Sequence, residues 1–174
     1  MKNPKRRKFC AAVISNKRGN FRNKFITELN KYKKIDMGGK YNNNIGGNVK
    51  NKIYFFLSYK FSISMENSEG DGYTSEKIYQ SFISGTIPIY FGNHMIDEIF
   101  NPKTYILIKS EKDLFKKIEY IKKIDNNDKL YKNIIKENLF INNNEIIKNL
   151  EEEKIQFFFN IFNQDKLKAF RRKY

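Results

Sequence analysis

The stretch YKFSISM, Tyr59 to Met65, runs directly into ENSEGDGYTSEK, Glu66 to Lys77. Lys60 to Met65 alternates as a strand does, and the acidic, glycine-bearing segment Glu66 to Gly72 then reads as a turn. Ser75 to Ser84 follows with Ile78, Phe82 and Ile83 on one helical face, Thr74 or Ser75 placed to cap its start and Gly85 to stop it. Strand, turn and helix in that order mark one unit of an α/β sheet, and in an open sheet of this kind ligands bind at the carboxyl ends of the strands. The turn therefore sets carboxylates and a lysine where a ligand would lie.

Working outward, Phe9 to Ile14 is a short apolar run of the kind buried in parallel sheets. Asn20 to Tyr32 places Phe21, Phe25, Ile26, Leu29 and Tyr32 at helical spacing, with Arg22, Lys24 and Glu28 off that face. Asp36 to Lys52 is rich in Gly and Asn without a period and reads as a loop. Thr86 to Phe91 is another strand, although Pro88 argues mildly against a central position, and Tyr105 to Ile108 is a further short one. Beyond Ser110 the pattern turns helical: Glu111 to Lys123 carries Leu114, Ile118 and Ile121, and Asp128 to Asn138 carries Leu130, Ile134 and Ile135. A last, aromatic helix is expected over roughly Asn144 to Phe162. The expected fold class is α/β, a Rossmann-like parallel sheet flanked by helices with C-terminal helical additions. One domain is expected over residues 1–174, with a core from about 8 to 110 and a helical extension from about 111 to 174.

The 174 residues carry a net charge of +15, which suits a partner bearing phosphates. Lysine is spread through every segment among Asn and Ile, as an adenine- and thymine-rich genome would produce, so the charge does not single out nucleic acid. Cys10 is the only cysteine and sits in an apolar strand, which fits a reducing compartment. No run approaches the roughly 20 apolar residues of a membrane span, and the basic start MKNPKRRK lacks the long apolar stretch of a signal peptide. With one His, one Cys and scattered carboxylates lacking ligand spacing, no obligatory metal is expected. His94 reads as a solvent-facing helix start.

The segment Glu66 to Lys77 resembles the characteristic motif of the α1,3/1,4-fucosyltransferases, in which a strand leads to ENS or ENT, a short turn, and then Y-x-[TS]-E-K. SFISGTIPIYFG, Ser81 to Gly92, is similar to the motif that follows in that family. Upstream, FCAAVISN and FRNKFITELNKYKKIDMGG resemble its strand ending in SN, its R-x-x-F helix and its segment closing on an aspartate and glycines. The resemblance covers roughly Lys8 to Ile108. Ser75 stands where Thr is commoner, and the loop from Gly39 to Lys52 has no clear counterpart.

What the resemblance implies is the C-terminal, donor-binding half of a GT-B-type fold that holds GDP-fucose. Arg22 and Lys77 would lie on the diphosphate and neutralise charge that grows as GDP departs. Glu76 would hold the ribose hydroxyls, Asn67 and Tyr73 would add nucleotide contacts, and Glu66 would support the turn. The implied reaction moves L-fucose with inversion to a hydroxyl of an acceptor glycan, a GlcNAc or Glc 3- or 4-OH, with no obligatory cofactor. The general base that takes the acceptor proton would come from an N-terminal acceptor domain, separate or upstream, without counterpart in these residues. The implied setting is cytoplasmic or peripheral at the cytoplasmic membrane face, of bacterial or viral type. Ile155, Phe157, Phe158, Phe159, Ile161 and Phe162, followed by Lys166 to Lys173, would pack back on the fold, cover the face left by the acceptor half, or rest on an anionic membrane. Two rivals stay open: an enzyme of the same architecture using another nucleotide sugar, and a non-catalytic remnant or basic binding module.

Overall fold

The structure, a computed structural model, describes residues 7–141, 152–156 and 159–160. Five short runs of apolar and β-branched residues form the strands β1 (Lys8–Ala12), β2 (Ile35–Met37), β3 (Tyr59–Met65), β4 (Ile87–Phe91) and β5 (Ile106–Leu107). They pair in the order β2-β1-β3-β4-β5, and every pairing is parallel. The helices α1 (Asn20–Asn30), α2 (Lys52–Phe56) and α3 (Glu76–Ile83) join the strands, and α4 (Leu114–Asp125) and α5 (Asp128–Lys136) follow β5. This is the Rossmann-like sheet flanked by helices that the sequence pattern predicts. The chain leaves β1 outward to β2 and returns to place β3 on the other side, so the topological switch point lies between β1 and β3. Crevices open at such points.

Two groups of helices bury the sheet. Phe25 and Leu29 of α1, Ile118, Ile121 and Ile124 of α4, and Tyr131 and Ile134 of α5 share one apolar cluster with Phe61, Ile63, Ile87 and Ile89 of the strands. Ile78 of α3 belongs to a second cluster with Tyr90, Ile96, Phe100 and Tyr105. Cys10 is buried in β1, and burial raises its thiol pKa far above the ordinary range. At the far end of α4, Asp125 Oδ1 accepts from Lys60 Nζ at 2.9 Å and Oδ2 from Lys33 Nζ at 2.7 Å and Tyr32 Oη at 3.0 Å, tying β3 and the turn after α1 to α4.

The stretch Lys60 to Met65 forms β3 as expected, and all of the strand is buried. Its serines meet other hydroxyls: Ser62 Oγ lies 2.6 Å from Thr86 Oγ1, and Ser64 Oγ 2.6 Å from Ser81 Oγ on α3, so small polar residues let helix and sheet approach closely. Several expectations need correction. The predicted loop from Asp36 to Lys52 begins inside β2 and ends inside α2. Asp36 is held in the strand by Tyr59 Oη at 2.7 Å, and Asn51 caps α2 by accepting from Tyr54 N at 3.1 Å. Ile83 does not join the buried face of α3 but is exposed at its last turn. Pro88 does stand in a non-edge strand; β5 pairs with β4 only from Ile89 onward, which leaves that flank open at the proline. The expected helix from Asn144 to Phe162 falls largely outside the described residues, although 152–156 and 159–160 are helical.

Candidate functional site

A cleft of about 210 Å3 opens at the carboxyl ends of β1 and β3, and Ile14, Asn16, Arg22, Met65, Asn67 and Lys77 are among the residues lining it. That volume is below the roughly 300–1,000 Å3 of pockets that enclose a whole drug-sized ligand.

Arg22 sits in the first turn of α1 and, although it lies off the apolar face read from the sequence, it is 2% exposed. One of its terminal nitrogens donates to Asn67 Oδ1, the other to Asn16 O at 2.8 Å and to Arg18 O. Its Nε has no partner among the described residues. Burial lowers the guanidinium pKa and the nearby Glu66 carboxylate offsets part of that effect; arginine stays charged throughout. Gly19 makes the close turn possible, with φ at +105° and the guanidinium carbon packed where a Cβ would come within 3.1 Å.

Glu66, 1% exposed, organises the opposite wall. Its carboxylate accepts from Ser75 N at 3.2 Å, from Ser75 Oγ and from Lys77 Nζ, and Lys77 Nζ also reaches Ser75 Oγ at 3.0 Å. Ser75 occupies the N-cap position of α3, yet its hydroxyl bonds Glu66 rather than the helix. Glu66 thus supports the turn, as the sequence reading has it. Gly92 provides the room: its φ is +154°, and a Cβ there would lie 2.7 Å from Glu66 Cγ.

The far side of the turn is held by Asn93, a buried residue beyond β4. Its Oδ1 accepts from Gly72 N and from Met95 N, both at 2.9 Å, and its Nδ2 donates to Thr74 Oγ1 at 3.0 Å. Backbone bonds Glu66 N to Phe91 O at 2.8 Å and Gly70 N to Gly92 O at 3.4 Å complete the seam. A turn with two glycines is thereby fixed against a strand end.

Of the residues singled out from sequence, the fold brings Arg22, Asn67 and Lys77 to one cleft. Glu76 stands beside it, paired with Lys52 at 3.2 Å. Partial burial would raise the Glu76 carboxyl pKa, but Lys52, its own backbone and Lys77 bring it below the ordinary value. Tyr73 is exposed and does not line the cleft. His94 opens a short 3-10 helix, half-exposed, 3.6 Å from Glu69. Sequence reasoning did not single out Lys52, Gln80 or Asn93. Gln80 follows Lys77 by three residues, the spacing that puts side chains on one helix face, and this was the signal available for it. Among the described residues no group of three or more His, Cys, Asp or Glu side chains could hold a metal.

A parallel α/β sheet with a cation-lined cleft at its switch point is the arrangement in which open sheets of this class bind their ligands. The chain belongs to glycosyltransferase family 10 (fucosyltransferase), whose C-terminal sequence model matches residues 3–155. It is 38% identical over 135 residues to an alpha-(1,3)-fucosyltransferase of Helicobacter pylori, an alignment covering 78% of this chain and 28% of that protein. It is 32% identical over 123 residues to alpha-(1,3)-fucosyltransferase B of Drosophila melanogaster, covering 63% of this chain and 28% of the relative. A crystal structure of an α1,3-fucosyltransferase with GDP-fucose matches with a TM-score of 0.82 at 32% identity, over 98% of this chain and 52% of that one. The chain therefore spans about a quarter of these curated relatives and about half of that solved structure.

Proposed function

We propose that this chain is the donor-binding portion of a fucosyltransferase that takes GDP-fucose and moves L-fucose, with inversion, to a hydroxyl of an acceptor glycan. The observation that carries the reading is the placement of Arg22 and Lys77 on the same switch-point cleft, Arg22 held by Asn67 and Lys77 by the buried Glu66. As the bond from the anomeric carbon to the diphosphate oxygen breaks, negative charge collects on GDP. Two preorganised cations stabilise that charge more than the ground state, which is how they would lower the barrier.

Asn67 bonds Arg22 and lines the same cleft, where it would add a contact to the nucleotide. Glu76 would exchange its exposed pairing with Lys52 for the ribose hydroxyls, at small cost because surface ion pairs contribute little. Tyr73, on the turn that Asn93 anchors, would cover the nucleotide from outside. The acceptor, a GlcNAc or Glc 3- or 4-OH, and the base that deprotonates it fall to the remainder of such enzymes, so residues 1–174 act as a single donor domain. The location consistent with this reading is cytoplasmic or peripheral at the cytoplasmic membrane face. Among the described residues no helix is long and apolar enough to cross a membrane.

Isothermal titration of the chain with GDP, UDP and ADP tests the proposal. Preferential binding of GDP is expected. Preference for UDP or ADP would indicate another nucleotide sugar on the same architecture, and no binding of any of them would favour the remnant or basic-module reading.

A further inference from the structure

A single buried amide pins the turn after β3 on both sides of Tyr73. Asn93 is 3% exposed, its Oδ1 accepts from Gly72 N at 2.9 Å, and its Nδ2 donates to Thr74 Oγ1 at 3.0 Å. Tyr73 stands between those two residues with its own side chain exposed. The same Oδ1 accepts from Met95 N at 2.9 Å, the bond by which Asn93 caps the short 3-10 helix that follows. Capping requires only that local bond. The other two reach across 21 and 19 residues to a different segment.

Packing does little to fix this part of the turn. Residues 67–73 are exposed apart from the half-buried Gly70, and a Cβ at Gly72, whose φ is +73°, would meet nothing within 4 Å. Hydrogen bonds must then set its position. Beyond Glu66, the other links from the turn to the exit of β4 are longer: Gly70 N reaches Gly92 O at 3.4 Å, and Glu69 lies 3.6 Å from His94 between two half-exposed side chains. Asn93 is itself held from behind, since its N–H donates to the buried Tyr90 Oη at 3.0 Å.

Lys77 has a separate anchor in Glu66. Loss of the Asn93 amide would therefore release Tyr73 while leaving the cations of the cleft in place. Resting on the donor-site reading above, we infer that Asn93 is a positioning residue for the donor: by pinning Gly72 and Thr74 it presents Tyr73 to the bound nucleotide in advance. A ligand that meets a side chain on a fixed backbone avoids the cost of ordering that segment on binding. A ligand too short to reach Tyr73 gains nothing from it.

The test is calorimetric titration of the full chain, Asn93→Ala, Tyr73→Ala and the double variant with GDP and with inorganic pyrophosphate, with melting temperatures as a check on folding. Asn93→Ala and Tyr73→Ala are each expected to weaken GDP roughly tenfold, within the range of coupling between residues that act as one unit, and the double variant no more than either alone. Pyrophosphate, which needs only Arg22 and Lys77, should bind all four forms alike. Thr74→Val, which removes only the bond to Nδ2, should give the same pattern in smaller measure and serves in place of Asn93→Ala if that variant does not fold. A residue that merely stabilised the fold would weaken both ligands. Equal losses of GDP and pyrophosphate, additive losses in the double variant, or unchanged GDP affinity would each overturn the positioning role and leave the donor-site reading standing. If the unaltered chain binds neither ligand, the donor-site reading fails and the positioning role with it.

Discussion

Lys77 and Glu66, eleven residues apart in the sequence, meet across the mouth of the cleft, with the carboxylate side chain 1% exposed and the ammonium side chain 29% exposed. The anion is locked in the protein while the cation keeps a face toward the cleft, so Lys77 is positioned without being sealed away. Removing the carboxylate leaves Lys77, Ser75 N and Ser75 Oγ without their common acceptor. Glu66→Ala is therefore expected to destabilise the fold by about 3 kcal/mol, the lower end for breaking a buried pair because Lys77 can turn to water. Urea unfolding of the two forms measures this, and an unchanged midpoint would contradict the anchoring role.

Gly92 makes room for that carboxylate. A Cβ at this position would lie 2.7 Å from Glu66 Cγ and 3.0 Å from Tyr90 Oη, on a backbone with φ of +154°. Both neighbours are buried, so neither can swing away freely. Gly92→Ala is expected to cost about 1–3 kcal/mol through strain and displacement of Glu66, read as a lowered melting temperature together with weaker nucleotide binding.

The Asp125 network lies away from the cleft and controls stability alone. Burial would raise the Asp125 carboxyl pKa, but hydrogen bonds from Lys33 and Lys60 outweigh it and hold the pKa below the ordinary 3.8. A depressed folded-state pKa contributes stability that is fully present above the unfolded value and is lost as pH falls through the folded one. The bond to Asp125 raises the pKa of Lys33, so that group's contribution is present below its ordinary 10.5 and fades as pH rises past the folded value. Asp125→Ala leaves Lys60 buried without a counter-charge and should cost about 3–5 kcal/mol. In acid urea titrations the unaltered chain should lose stability more steeply than Asp125→Asn as pH falls below about 4.

Much of this arrangement is legible in the sequence because the strands are apolar runs closed by turn residues and the helices carry apolar residues at regular spacing. β2 is not, since three residues with Asp36 at the centre show no pattern; the pairing that explains the aspartate, with Tyr59, lies on a strand two elements away. α2 hides for the opposite reason, as KIYFF runs through Leu57 and Ser58 into the apolar stretch of β3, and only the Asn51 cap at its start marks it as a helix. In the site, Arg22, Asn67 and Lys77 stand in motifs, whereas Gln80 and Asn93 acquire meaning only from what surrounds them: an unpaired oxygen beside a cleft, and a buried amide joining two loops.

The central claim is that Arg22 and Lys77 together hold a nucleoside diphosphate. Calorimetric titration of GDP into the unaltered chain, Arg22→Ala and Lys77→Ala tests it most directly. Each substitution is expected to cost about 1.5–3 kcal/mol of binding free energy, the range for a hydrogen bond to a charged group, with the fold retained. GDP affinity unchanged in both variants would contradict the account.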